Sequence, residues 1–146
     1  MIDAIVSGGS ARRRPCAGAI VFDEHRRVLL IRRGKAPSAG RWSLPGGRCD
    51  AGERPDAACV REVDEETALA VQVVRWVGRV ERDAPDGGVY VIDDYLCRLA
   101  PGQRAGDARA GDDAADVRWA TRADLDALPL APGVLSALDA WAMLPG

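Results

Sequence analysis

From Glu53 to Glu66 the chain places six acids in fourteen residues, against only two arginines, Arg54 and Arg61. The segment predicts a helix over 54–67, with Pro55 in the first turn, where a missing N–H costs little. At about 100° per residue, Glu66 lies about 40° from Glu62, and Glu65 about 60° on the other side. Three carboxylates therefore share one helical face. Like charges at this spacing cost an isolated helix about 0.2–0.5 kcal/mol per pair. Such a face either stays in solvent or meets cations, and any fold the chain adopts must leave it open to one of them.

The remainder of the sequence constrains the architecture around that helix. A length of 146 residues suits one domain with a real core, and 47% hydrophobic with 29% charged residues is ordinary for a globular protein. We expect a loose lead-in over 1–14, ending in Arg12-Arg13-Arg14, and a single domain over 15–146. Two apolar runs, 16–22 and 28–31, flank a polar break and predict a hairpin partly buried on both faces. Further strands are expected at 42–44, 71–80, 89–99 and 117–119, with Pro45-Gly46-Gly47 stopping the first of them. Residues 101–115 form a long Gly/Ala/Asp-rich loop. Thr121 and Asp124 resemble a capping arrangement for a short helix to Leu128, and a last helix is expected over 133–143. Helices on a mixed sheet make the fold class α/β or α+β.

Composition excludes more than it suggests. A formal net charge of -2 argues against a nucleic-acid polymer as partner, which needs a basic surface. No apolar run approaches the length that spans a bilayer, and residues 1–10 lack the pattern of a secretory signal, so no membrane partner and a cytoplasmic location are expected. The four cysteines (Cys16, Cys49, Cys59, Cys97) are scattered without metal-ligand spacing and read as small buried thiols. His25, the lone histidine, reads as a surface residue in a turn.

Leu44-Pro45-Gly46-Gly47 lies just upstream of the acidic helix, and two glycines there free the backbone to approach a ligand. Hard oxygen ligands beside such a loop suit Mg²⁺ or Mn²⁺, which join carboxylates to substrate phosphates. Carboxylates alone would repel a polyphosphate, so a metal must mediate that contact. A Walker-type cradle is absent.

Gly47, Glu53 and Arg61-Glu62-Val63-Asp64-Glu65-Glu66-Thr67-Ala68-Leu69 resemble the Nudix box, G-x5-E-x7-R-E-U-x-E-E-x-G-U, where U is bulky and apolar. Eight of the nine defined positions match in one register, and the approach Trp42-Ser43-Leu44-Pro45-Gly46 is also similar to the family's. The departure is Ala68, where the family has glycine in what would be a left-handed turn; alanine there would cost about 1 kcal/mol.

The resemblance implies an α/β/α sandwich with a mixed sheet, and metal-dependent hydrolysis of a nucleoside diphosphate linked to another group, by attack of activated water. It makes Glu62, Glu66 and Glu65 metal ligands, with the Gly46 carbonyl contributing. It places Glu53 where it could orient the attacking water and gives Arg61 an acid of the box to hold. The proton acceptor is either Glu65 or an acid of the long loop, Asp112 or Asp113. Pro85, sixteen residues beyond Leu69, is similar to a marker of members that cleave ADP-ribose. Arg32, Arg33 and Arg41 are candidates for phosphate or ribose contacts, while Tyr90, Tyr95 and Trp119 could stack on a base or belong to the core. ADP-ribose or a related nucleotide sugar is the expected substrate, and an oxidised nucleoside triphosphate such as 8-oxo-dGTP the alternative. A nucleotide-sensing module without catalysis is the rival of a different class, and a homodimer is compatible with the resemblance.

Overall fold

The computed structural model describes residues 12–36, 38–111 and 113–146. Among the described residues, seven strands form two sheets. The larger has the order β4-β1-β6-β5, built from β1 (Arg13–Val21), β4 (Gly46–Arg48), β5 (Val71–Asp83) and β6 (Val89–Leu99). The smaller has the order β3-β2-β7, built from β2 (Val28–Arg33), β3 (Trp42–Ser43) and β7 (Ala114–Ala120). The larger sheet is mixed: β1 runs parallel to β6 and antiparallel to β4. Helix α1 (Pro55–Thr67) covers one side, and α2 (Arg122–Ala127) with α3 (Val134–Ala140) covers the other. This is the α/β/α sandwich expected above.

Period-two alternation of the strands explains the two cores. Ala17, Ala19 and Val21 of β1, with Leu29 and Cys97, pack under Ala58, Cys59 and Val63 of α1. Alternate residues, Ile20, Val28 and Leu30, pack with Ala120, Leu125 and Leu138 on the opposite side. Small residues on the β1 face let α1 approach closely. Val63 is fully buried in that contact, which stabilises the fold by about 2 kcal/mol. Cys16, Cys59 and Cys97 are buried free thiols, Cys49 is half-buried, and His25 is exposed.

Four expectations are corrected. The runs 16–22 and 28–31 do not form a hairpin: a single bridge, Phe22 to Val28, joins them before β1 and β2 enter different sheets. Both strands are buried on both faces, so each needs its own flanking strands and cannot serve merely as the other's partner. Gly46 and Gly47, read as a strand stop, belong to β4, which pairs with β1. β1 starts at Arg13, inside the expected lead-in, and residues 1–11 lie outside the described residues. The last helix ends at Ala140, short of Met143. The capping box between Thr121 and Asp124 is present at the start of α2. No helix among the described residues is long and apolar enough to cross a membrane.

Ala68 ends α1 in the left-handed conformation, φ 63° and ψ 13°, with its N–H donating to the Asp64 carbonyl at 2.9 Å. The turn that favours glycine is thus built with alanine. Ala68→Gly should stabilise the protein by about 1 kcal/mol and raise Tm by about 4 °C, read by thermal melts; an unchanged or lower Tm would contradict strain at this cap.

Candidate active site

Helix α1 and strand β4 bring the acidic face to the sheet. Glu66, on the last turn of α1, is 8% exposed, and its carboxylate accepts a hydrogen bond from the Gly46 N–H at 2.7 Å. Glu62, one turn earlier, lies against Gly47, where an added Cβ would collide with its carboxylate. Gly46 is itself pressed onto β1, against the Ala17 carbonyl and Gly18. Glycines at 46 and 47 therefore allow the strand, the helix and two carboxylates to occupy one small space.

Arg61 organises the other acids. Its Nε and Nη2 donate to the two oxygens of Glu53 at 2.9 and 2.8 Å, in a bidentate pair. Its Nη1 donates to Glu65 at 3.1 Å, and its Nη2 also donates to the Arg48 carbonyl at 3.0 Å. Asp50 N–H donates to Glu53 at 2.8 Å. Glu53 is thus fully engaged in holding Arg61 and the turn before α1. The Arg61 guanidinium, with the Asp50 amide, holds the Glu53 carboxyl well below its ordinary value, at about 2.

Glu62 and Glu66 have the opposite electrostatics. Burial pushes Glu62 up to about 7, with Glu65 adding repulsion against the pull of Arg61. Burial also pushes Glu66 up to about 7, against the Gly46 N–H and with Glu62 adding repulsion. Two adjacent carboxylates, one buried and one half-buried, raised in this way present a strong demand for positive charge. Among the described residues, no three His, Cys, Asp or Glu side chains form a ready-made metal cage. A pair of carboxylates suits Mg²⁺, which keeps several waters and takes substrate phosphates as further ligands. The all-oxygen donor set fits that ion.

Both carboxylates open into a cleft of about 610 Å³. Of the other expected residues, Gly46, Arg33, Tyr90 and Asp113 line it. Asp113 pairs with Lys35 at 2.8 Å at the rim, and Asp112 lies outside the described residues. Arg32 and Arg41 are not brought to the cleft. Ile31 and Arg33 face it, so alternation along β2 turns Arg32 away. Arg41 is exposed and donates to the Leu130 carbonyl at 3.2 Å. Trp119 and Tyr95 pack against the core under α1, and Trp119 Nε1 donates to the Ala105 carbonyl at 2.9 Å. Pro85 is exposed in the turn between β5 and β6 and does not line the cleft. The cleft also contains Lys35, Arg48, Arg82 and Asp94, which no local motif singled out.

Comparison with known proteins places this geometry in context. The NUDIX domain family profile matches residues 12–141. A Mycobacterium tuberculosis (strain CDC 1551 / Oshkosh) relative, provisionally named 8-oxo-dGTP diphosphatase 2, is 40% identical over 111 residues, covering 75% of this chain and 73% of its own. An ADP-ribose pyrophosphatase of Methanocaldococcus jannaschii is 33% identical over 109 residues, covering 75% of this chain and 61% of its own. The crystal structure of a MutT NUDIX hydrolase from Burkholderia pseudomallei superposes with a TM-score of 0.75 at 31% identity, over 88% of this chain and 97% of that one.

The depressed Glu53 carboxyl predicts a pH dependence. Its contribution to stability is complete above about 4.5, the unfolded value, and is lost as pH falls toward about 2. Denaturant melts at pH 5 and pH 3 should therefore show a larger loss of stability in the wild type than in Glu53→Gln. Equal losses would mean that the Arg61 pair does not hold the turn.

Proposed function

This chain belongs to the NUDIX family and is a Nudix hydrolase of diphosphate-containing substrates, and from that premise we propose how its own residues act. Glu62 and Glu66 would hold a divalent cation, Mg²⁺ or Mn²⁺, in the cleft beside Gly46, whose carbonyl would be a further donor, with Glu65, held by Arg61 outside the cleft lining, as the remaining one. The ion, when bound, would neutralise the diphosphate and lower the pKa of the attacking water. The observation that carries this reading is the pair of adjacent carboxylates, Glu66 buried and Glu62 half-buried, of which Glu66 is fastened to the Gly46 amide.

The chain's part is positioning, charge and proton transfer. Arg61 holds Glu65 beside the pair and is fixed by Glu53, so Glu53 acts by positioning Arg61. Glu65 is 40% exposed at the side chain and accepts one hydrogen bond from Arg61, which leaves acceptor capacity for the proton of the attacking water. Asp113 at the rim is the second candidate for that proton. Arg33, Lys35 and Arg48 line the same cleft and supply positive charge for the phosphates.

The substrate is a small nucleotide with a phosphoanhydride. ADP-ribose, the substrate first expected, draws support from the Methanocaldococcus jannaschii relative, while the residue that suggested it, Pro85, lies outside the cleft. A nucleoside triphosphate draws support from the Mycobacterium tuberculosis relative.

A nucleotide panel with Mg²⁺ and product identification tests this reading. AMP plus a sugar phosphate would indicate ADP-ribose; a monophosphate plus pyrophosphate would indicate a triphosphate. Glu66→Gln should lower turnover at least a hundredfold with the fold intact by circular dichroism. Gly47→Ala, which pushes a methyl into the Glu62 carboxylate, should weaken Mg²⁺ dependence at least tenfold. Measurable nucleotide binding without any turnover would favour a sensor.

A further inference from the structure

Among 20 lysines and arginines the chain has one lysine, Lys35, and it lines the cleft just beyond the end of β2. Its Nζ pairs with the Asp113 carboxylate at 2.8 Å. The main chain that carries Asp113 is fastened on two sides. Gly34 N–H donates to the Asp113 carbonyl at 2.9 Å, and a Cβ added at Gly34 would collide with that oxygen. Upstream, Gly111 N–H donates to the Glu66 carbonyl at 3.1 Å, and Arg109 N–H donates to the Thr67 carbonyl at 2.8 Å. A side chain at Gly111 would meet the Glu65 carbonyl, so glycine lets this segment close onto the last turn of α1. Asp113 is thereby held beside the carboxylates of that helix. Burial raises the Glu66 carboxyl, and Asp113 is near enough to add repulsion.

The ion pair itself is loosely held. The Lys35 and Asp113 side chains are 73% and 63% exposed, and a pair so open to water is worth little. A diphosphate in the cleft offers the same ammonium more than one negative charge. An ammonium on a flexible stem, with three rotatable donors, can pass from a carboxylate to a phosphate by side-chain rotation alone. Arginine, which the chain uses at every other such position, would grip Asp113 with a planar fork. The lysine therefore stands where exchange is easy, between the entering anion and an acid fixed beside Glu66.

We propose that Lys35 and Asp113 form a substrate-operated latch: an entering diphosphate draws the Lys35 ammonium off Asp113, and the freed carboxylate then accepts the proton of the attacking water. The proposal rests on the hydrolase reading of the same cleft and deepens it. In that step the water oxygen bonds to phosphorus and one water proton passes to an Asp113 oxygen. The P–O anhydride bond breaks, and its electron pair leaves with the departing phosphate. The single lysine makes the exchange visible, because isotope-labelled lysine gives one side-chain NMR signal from the full chain. Pyrophosphate with Mg²⁺ should move that signal, and wild type and Asp113→Asn, starting from different positions, should reach the same one. Asp113→Asn should bind pyrophosphate about threefold more tightly, since no pair has to break, and the gain should vanish in the Lys35→Met background. In hydrolysis, Lys35→Met should act through KM more than kcat, whereas Asp113→Asn should lower kcat at least tenfold. A Lys35 signal that stays in place while calorimetry shows pyrophosphate bound overturns the proposal. An equal gain from Asp113→Asn in both backgrounds would mark simple charge repulsion and overturns it too, as does an unchanged kcat in Asp113→Asn. If no nucleotide is cleaved while pyrophosphate still moves the signal, the exchange stands and the hydrolase reading fails.

Discussion

The site depends on how one guanidinium divides the acids of one helix. Arg61 gathers Glu53 and Glu65, and takes the Arg48 carbonyl as well. That leaves Glu62 with only a 3.6 Å approach to Arg61, and Glu66 with a single amide. Had the arginine been shared evenly, the helix would carry a neutralised surface network worth little in energy and empty of chemistry. The uneven division keeps two carboxylates short of positive charge where the sheet buries them. The like-charge cost within the helix is a few tenths of a kcal/mol per pair, small beside the burial of Val63 on the same helix. Packing on the other side of α1 therefore tolerates an acidic face that an isolated helix would resist.

Much of this was legible in the residues because the helical part of the site is local. The spacing of Glu62, Glu65 and Glu66 needs only the helical period, and Arg61 sits within a turn of them. The glycines that admit the helix lie just upstream. What spacing could not supply was the parity of strands. Arg32 and Arg33 are neighbours with identical chemistry, and only the choice of buried face decides which meets the cleft. The hairpin error has the same origin: strands apolar on both faces carry no alternation to say which sheet they join. Asp94 was invisible for a further reason. Asp93 and Asp94 are both buried, and nothing in the sequence tells the one paired with Arg79 from the one that lines the cleft until β1 and β5 bring Gly18 and Gly78 to the flanks of Asp94.

Aromatic residues show where the plainer reading prevailed. Trp119 and Tyr95 fill the core under α1, as strand aromatics usually do, and Tyr90 alone of the three reaches the cleft. Pro85 is a comparable case, an ordinary turn residue at the β5–β6 tip. Signals from single residues in turns and strands proved less informative than a register of eight matching positions running from β4 through α1.

The bond from the Gly46 amide to Glu66 joins helix to main chain, with no second side chain involved. Side-chain replacement at 46 leaves that donor in place, save for proline, although bulk there is barred by β1. The location of the carboxylate is therefore tied to the antiparallel register of Gly46 with Gly18. The sheet acts as a ruler: the register that presses Gly46 onto Gly18 also fixes where its amide meets the helix, so the carboxylate is placed by backbone geometry. Sequence drift in the surrounding loops can then retune what enters the cleft without moving that carboxylate.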